Sequence, residues 1–201
     1  MNLLLLLIVG YVIGSIPFAL IIGKVFFKTD IREHGSGNLG GGNAGRVLGK
    51  KAGVAVMTMD ILKVAFVVFL AKRFLGSETA IACGGLSAAV GHCWPIFARF
   101  KGGKAVATMY GFLFGLFVFV GYSPLVFFLP LLVFLLVLKL TKIISLSSIL
   151  SAVAVTIYVS VAADSAAIAW ALAAFAVLII VRHKKNIERI RSHQENKISW
   201  M

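Results

Sequence analysis

Apolar residues run along this chain in long stretches separated by short clusters of glycine and basic residues. Charge-free or nearly charge-free runs cover 1–23, 52–71, 79–97, 105–138 and 145–181. A helix crossing the bilayer core, about 30 Å thick, needs about 20 residues. Each of the first three runs therefore predicts one helix. Nothing before Lys24 carries a side-chain charge, so residues 3–23 lack the basic region of a signal peptide and read as a retained span. The last two runs would each be roughly 50–55 Å long as helix. Each predicts a hairpin of two shorter helices, turning at Gly121-Tyr122-Ser123-Pro124 and at Ala163-Asp164-Ser165, because Gly and Pro punctuate structure.

That makes seven spans; the alternative is five, with the long runs tilted or kinked. Charge placement separates the two. With seven, the segments 24–51, 98–104, 139–144 and 182–201 share one side and hold six, three, two and six Lys/Arg, whereas the other side holds Lys72 and Arg73. Five spans would split the basic residues of 139–144 from those of the last segment and spoil the bias. The sequence thus predicts an all-α integral membrane protein, a seven-transmembrane-helix bundle with its N-terminus outside and its C-terminus cytoplasmic. The polar segments are too short to enclose a core of their own. Residues 1–201 read as a single membrane-embedded domain, and any site must be built from loops lying on the bundle.

Composition strengthens this picture. The chain is 60% hydrophobic and 13% charged, with a mean hydropathy of +1.00, which excludes a soluble globule, a disordered chain, a coiled coil and a disulfide scaffold. A net charge of +13 would suggest nucleic-acid binding in a soluble protein. Here the basic residues sit between apolar runs, which fits inner-leaflet topology and anionic substrates and predicts no nucleic-acid partner. Cys83 and Cys93 are about 15 Å apart on a helix, too far for a disulfide, and read as packing residues.

The chemistry lies in the polar segments. Gly35-Ser36-Gly37-Asn38-Leu39-Gly40-Gly41-Gly42-Asn43-Ala44-Gly45-Arg46 is a glycine-rich stretch of the kind whose backbone N–H groups converge on anions. Its Gly-x-Gly-x-x-Gly spacing matches a dinucleotide fingerprint, but no strand precedes it, and Asp60 falls in an apolar helix. A flexible loop would not explain the interleaved Ser36, Asn38, Asn43 and Arg46. Arg99-Phe100-Lys101-Gly102-Gly103-Lys104 precedes a helix whose N-terminus faces it, which suits phosphate; simple anchoring by snorkelling lysines is the alternative. Spans two, four and six all start on this side, so three helix N-termini could converge on one anionic ligand or two. The basic segment from Arg182 reads either as a solvated lipid-binding tail or as part of the site. His183 and Glu188 are a near miss to a His-x4-Asp motif, and at i,i+5 they do not share a helix face. Asp60 and Lys63 predict a structural intramembrane pair, and His92 a hydrogen-bonded structural histidine. No cluster has metal-ligand spacing.

At these loops the chain resembles the bacterial acyl-phosphate-dependent glycerol-3-phosphate acyltransferases, the PlsY family. Gly35 to Arg46 resembles the family's Gly-Ser-Gly-Asn-x-Gly-Ala-Thr-Asn-x-x-Arg. Gly91-His92-Cys93-Trp94-Pro95-Ile96-Phe97 with Phe100 to Thr108 resembles its second motif, and His183, Asn186, Ile187, Arg189 and Ile190 its third. Gly14-Ser15-Ile16-Pro17-Phe18 fits its first span. The resemblance implies a seven-helix fold in the bacterial cytoplasmic (inner) membrane with a cytoplasmic-side active site. It implies transfer of an acyl group from acyl phosphate to the 1-hydroxyl of glycerol 3-phosphate, giving lysophosphatidic acid and phosphate for phospholipid synthesis. Membrane lipids and an acyl-phosphate-producing enzyme are the other implied partners; no cofactor or metal is expected. Ser36, Lys104, His183 and Asn186 are then the expected catalytic residues. Gly37, Asn38, Gly40, Asn43, Arg46, Lys101, Gly102, Gly103, Ser145 and Glu195 are expected to bind substrate.

An acyl phosphate is already activated, so no enzyme nucleophile is required, and none is evident. Three departures from the family pattern stand out: Gly41-Gly42 for Ala-Thr, Ala105 for Gly after Lys104, and Ser192-His193-Gln194-Glu195 for a shorter Gly-x-Glu spacing. Each could lower activity or shift acceptor preference. The main rival reading is a small transporter of a phosphorylated anion, which would place its polar groups near the bilayer midplane; a membrane scaffold is the third.

Overall fold

The computed structural model describes residues 1–162 and 165–198. Among these, every regular element is helical. The first apolar run forms α1 (Leu3–Gly14) and α2 (Phe18–Phe27). Pro17 lies at the break between them, where its missing N–H and its ring interrupt helical bonding. Together Leu3–Phe27 make one apolar span of 25 residues, longer than the predicted 3–23. The helix absorbs Lys24 because Val25, Phe26 and Phe27 continue it, and Lys24 reaches Asp30 at 3.4 Å. The polar segment thus opens at Lys28, which ends α2 with φ 52°.

The remaining elements are α3 (Gly41–Val47), α4 (Lys50–Phe74), α5 (Glu78–Cys93), α6 (Val106–Gly115), α7 (Leu125–Thr141), α8 (Ile144–Ala162), α9 (Ala166–Arg182) and α10 (Lys184–Arg191). Both long runs break. The first ends α6 in a π-helical turn, Leu116–Val120, closed by Gly121, whose N–H bonds back to the Leu116 carbonyl. The second separates α8 from α9. Ser165 caps α9 by accepting from the Ile168 N–H, while Ala163 and Asp164 of the expected turn lie outside the described residues. Leu3–Phe27, α4, Glu78–Ala98 and α8 are each long and apolar enough to cross a membrane, and α9 with α10 makes a fifth candidate bent by 61°. The apolar segments Val106–Val120 and α7 are shorter. Large apolar side chains such as Phe66, Leu132, Ile157 and Val177 are exposed around the helices, as in a surface meant for acyl chains rather than water. The protein is a multi-pass membrane protein.

Small residues let the helices approach closely. A Cβ on Gly14 would collide with the Ala88 backbone and one on Gly111 with the Ile61 carbonyl, so α1 lies against α5 and α6 against α4, a packing mode favoured in lipid. The main core fills the space between α4, α5, α6, α8 and α9, with Phe112 and Phe175 stacked at 5.2 Å. A second, smaller cluster matters more for function. Ala19, Leu20, Ile31, Leu39, Ala44, Val56 and Ala98 pack together, so the glycine-rich segment and the segment before Lys104 share one apolar floor.

Candidate active site

The glycine-rich segment is more ordered than a nest of free N–H groups. Asn43 is buried and uses its whole side chain to fold it. Its Oδ1 accepts the Ser36 N–H at 2.9 Å, and its Nδ2 donates to the carbonyls of Ile31 and His34 at 3.1 Å. Gly35 and Gly37 adopt φ of 60° and 66°, a conformation open to glycine at little cost, and this turn holds Ser36 exposed at the tip. The later glycines do something else. Gly40 precedes α3, and a Cβ at Gly53 of α4 would stand 2.6 Å from the Gly45 Cα and 2.9 Å from the Gly41 carbonyl. They allow α3 to lie on the first turns of α4. Asn43 and these glycines therefore fold the segment, which leaves Ser36 and Arg46 exposed and Asn38 half-buried. Gly42 has space beside it, with Arg46 Nη2, 4.0 Å away, the nearest atom to a Cβ there. Its departure from the family pattern is thus sterically free, and Gly42→Thr should keep the melting temperature within a few degrees of the parent in a thermal-shift assay, since surface substitutions away from such contacts stay within about 0.5 kcal/mol.

The second segment is pinned from both sides. The Gly103 N–H donates to the His92 carbonyl at 3.0 Å. The Gly102 and Gly103 carbonyls accept from Arg182 at 3.1 and 3.0 Å, and the Arg182 guanidinium lies over the Trp94 ring. Gly102 and Gly103 were expected to offer backbone donors to phosphate; instead the Gly103 N–H is consumed, and both glycines are needed because a Cβ would run into His92. Lys101 is exposed and Lys104 half-buried. Ala105 begins α6 with φ 63°, and its methyl is fully buried in the main core. The extra Cβ thus leaves the phosphate side open. Among the described residues no side chain caps the first turn of α6, whose N–H groups suit an anion beside Lys104.

The third segment closes the site. The chain bends by 61° between α9 and α10, then turns back through His193 at φ 56° until the Ile198 N–H bonds to the Lys142 carbonyl. The segment is built structure rather than a solvated tail. Lys104 Nζ donates to Asn186 Oδ1 at 2.6 Å. Asn186 Nδ2 donates to Glu195 Oε1, which also accepts from Ser145 Oγ at 2.7 Å. Arg189 Nε binds Glu195 Oε2 at 2.7 Å. Burial would raise the Glu195 pKa, but the hydrogen bonds from Arg189, Asn186 and Ser145 outweigh it and hold the carboxyl below its ordinary value. Burial pulls Lys104 down to about 8; Glu195 opposes that, while the charges of Arg189, Arg46 and Arg182 add to it. His183 is buried and pulled down to about 4, mainly by burial. Its Nδ1 lies 2.8 Å from the Ile179 carbonyl, so Nδ1 carries the proton and Nε2 is an acceptor.

The second and third motifs therefore meet at Lys104, while the first shares the apolar floor beneath the second and brings the Arg46 charge to bear on Lys104. The N-termini of α6 and α8 converge there, joined through Ser145 and Glu195, while the first turn of α4 instead carries α3. Arg182 escaped the sequence reading and Arg189 entered it only as a residue of the third motif; the run of basic residues beside His183 does not by itself separate a working arginine from a lipid-facing one. Cationic groups and free helix N–H donors at one end of a bundle of apolar helices define a membrane protein that handles phosphate esters.

The glycerol-3-phosphate acyltransferase family model matches residues 4–193. A glycerol-3-phosphate acyltransferase of Bacillus anthracis is 49% identical over 195 residues, spanning 97% of this chain and 98% of the relative; one of Streptococcus pneumoniae is 42% identical over 200 residues, spanning 98% and 93%. The crystal structure of PlsY, an integral membrane glycerol 3-phosphate acyltransferase, in its glycerol 3-phosphate form superposes with a TM-score of 0.91 at 34% identity, covering 98% of this chain and 96% of that one. Its lysophosphatidic acid form gives 0.88 over 98% and 95%. The chain belongs to the glycerol-3-phosphate acyltransferase family.

Proposed function

We propose that this protein transfers an acyl group from acyl phosphate to the 1-hydroxyl of glycerol 3-phosphate, releasing lysophosphatidic acid and phosphate. The observation that carries this is the meeting of Lys104, Asn186, Glu195 and Ser145 at the uncapped start of α6. Both substrates carry phosphate, and cations beside a helix N-terminus are suited to bind it. The reading places the site on the cytoplasmic face of a seven-span bundle in the inner membrane. The whole chain then forms one domain, with an acyl-phosphate-producing enzyme upstream.

In this mechanism Lys104, Arg46 and the first turn of α6 hold phosphate, with Lys101 at the rim. Ser36, Gly37, Asn38 and Gly40 contribute from the first loop, and Asn43, Gly102 and Gly103 fix the loops that carry them. On binding, the substrate hydroxyl donates to His183 Nε2, which orients its oxygen toward the acyl carbon, and as the new bond forms the O–H turns from Nε2 to the phosphate. With a pKa of about 4, His183 is a weak base at neutral pH, so the proton passes to an oxygen of the departing phosphate. The hydroxyl oxygen bonds to the acyl carbon, and the acyl carbon–phosphate oxygen bond breaks. Positioning and charge stabilisation do the work.

The test is phosphate release by purified protein in lipid, given palmitoyl phosphate and glycerol 3-phosphate. Release that needs both supports the reading; acylation of glycerol 3-phosphate by palmitoyl-coenzyme A in place of palmitoyl phosphate, or uptake of glycerol 3-phosphate into liposomes without acylation, refutes it. Lys104 binds phosphate in its charged form and titrates near 8, so deprotonation at higher pH removes a cation from the site. The apparent affinity for glycerol 3-phosphate should therefore hold between about pH 7 and 8 and fall above it. A KM profile to about pH 9.5 that stays flat would exclude this role.

A further inference from the structure

A buried charged cluster lies beneath the phosphate loop and takes no part in the mechanism above. Lys63 Nζ stands 2.7 Å from Asp60 Oδ1, 3.0 Å from the Ile16 carbonyl and 3.1 Å from His92 Nδ1. All three side chains are buried. An ammonium has three N–H donors and no acceptor, and here it has three acceptors, so each bond is assigned. His92 Nδ1 must then be the acceptor of the Lys63 bond. Asp60 Oδ1, at 3.5 Å from Nδ1, is a poorer partner for that nitrogen. In a neutral ring the proton is consequently on Nε2. That edge of the ring lies against Gly103, at the place a Cβ would occupy, and the His92 carbonyl accepts the Gly103 N–H. Among the described residues Asp60 Oδ2 has no hydrogen-bond partner, a cost usually tolerated for a reason.

We propose that Asp60, Lys63 and His92 are a positioning device for the phosphate loop. Lys63 fixes the tautomer and orientation of His92, and His92 sets the position of Gly103 and thereby of the adjoining Lys104. Because Lys63 also holds the Ile16 carbonyl, the break between α1 and α2 is tied to the same loop. The inference rests on the reading of Lys104 as a phosphate contact.

Two measurements test it on the full-length protein in lipid: equilibrium binding of labelled glycerol 3-phosphate, and the tautomer of His92 by nitrogen NMR of labelled histidine. Asparagine in place of His92 keeps an acceptor near Lys63 but falls short of Gly103, whereas glutamine extends to the Nε2 position. His92→Asn should weaken binding about tenfold, the scale of a small displacement of a binding group, and raise KM by more than it lowers kcat. His92→Gln should recover most of that affinity. The paired change Asp60→Asn, Lys63→Met removes both charges together, so neither is left buried alone. It should lose the Nε2-protonated signature and weaken binding similarly. Wild-type binding by folded His92→Asn or by the paired variant overturns the proposal, as does a wild-type His92 protonated on Nδ1. Failure of the wild-type protein to transfer acyl groups, with binding and tautomer intact, refutes the functional reading instead.

Discussion

Lys104→Ala is expected to lower kcat/KM for glycerol 3-phosphate acylation by about 10²-fold or more, the usual loss on removing one preorganised charge-stabilising donor. The geometry makes this a clean experiment. Lys104 Nζ donates to Asn186 at 2.6 Å, but Asn186 also bonds to Glu195, and Glu195 keeps Ser145 and Arg189 when the lysine is gone. The scaffold of the third motif therefore stands without Lys104. Half-buried as it is, Lys104 resists ionisation, so alanine relieves a desolvation cost and the variant should fold. Phosphate release and thermal stability measured together check this. Near-normal turnover in a folded Lys104→Ala protein would remove the residue from the mechanism, leaving the α6 N-terminus and Arg46 as the phosphate site.

Gly103→Ala is expected to have the second-largest effect, again about 10²-fold in kcat/KM. The new methyl would occupy space held by the His92 ring. That ring is fixed by Lys63 at 3.1 Å, and the loop above is held by Arg182 on the Gly103 carbonyl at 3.0 Å. Neither neighbour is the free end of a flexible chain, so the loop must lift and carry Lys104 with it. Overpacking of this kind costs about 1–3 kcal/mol, which a thermal-shift assay reads as a lowered melting temperature. The contrast with Gly42→Thr is the control, because that position has room. If Gly103→Ala kept both its activity and its melting temperature, the close approach of the loop to His92 would be wrong.

The apolar runs and the break at Gly121 were legible because burial in lipid is written locally, about 20 apolar residues making a span whatever the rest of the chain does; the break at Pro17 was not, since the first run was read as one helix. The pairing of Asp60 with Lys63 was legible too, since i,i+3 neighbours meet on any helix. The role of Arg182 was not, because it acts on Gly102 and Gly103, 80 and 79 residues away, and no local pattern records such a partner. The glycine-rich segment misled in an instructive way. Glycine serves equally for a left-handed turn, as at Gly35 and Gly37, and for close helix approach, as at Gly41 and Gly45 against Gly53. Composition does not separate those uses.

The sequence by itself therefore determined the class of protein, its apolar runs and the break at Gly121, because each follows from hydropathy, charge and short-range spacing. Only the tertiary structure decided which polar groups remain available. Asn43 and the Gly103 N–H are consumed in building the loops, the Ala105 methyl turns into the core, and His92 is bound to Lys63 under Gly103. Hydrogen-bonding capacity is finite, and whether a donor is spent on the fold or left for a substrate depends on partners that the fold alone brings within about 3 Å.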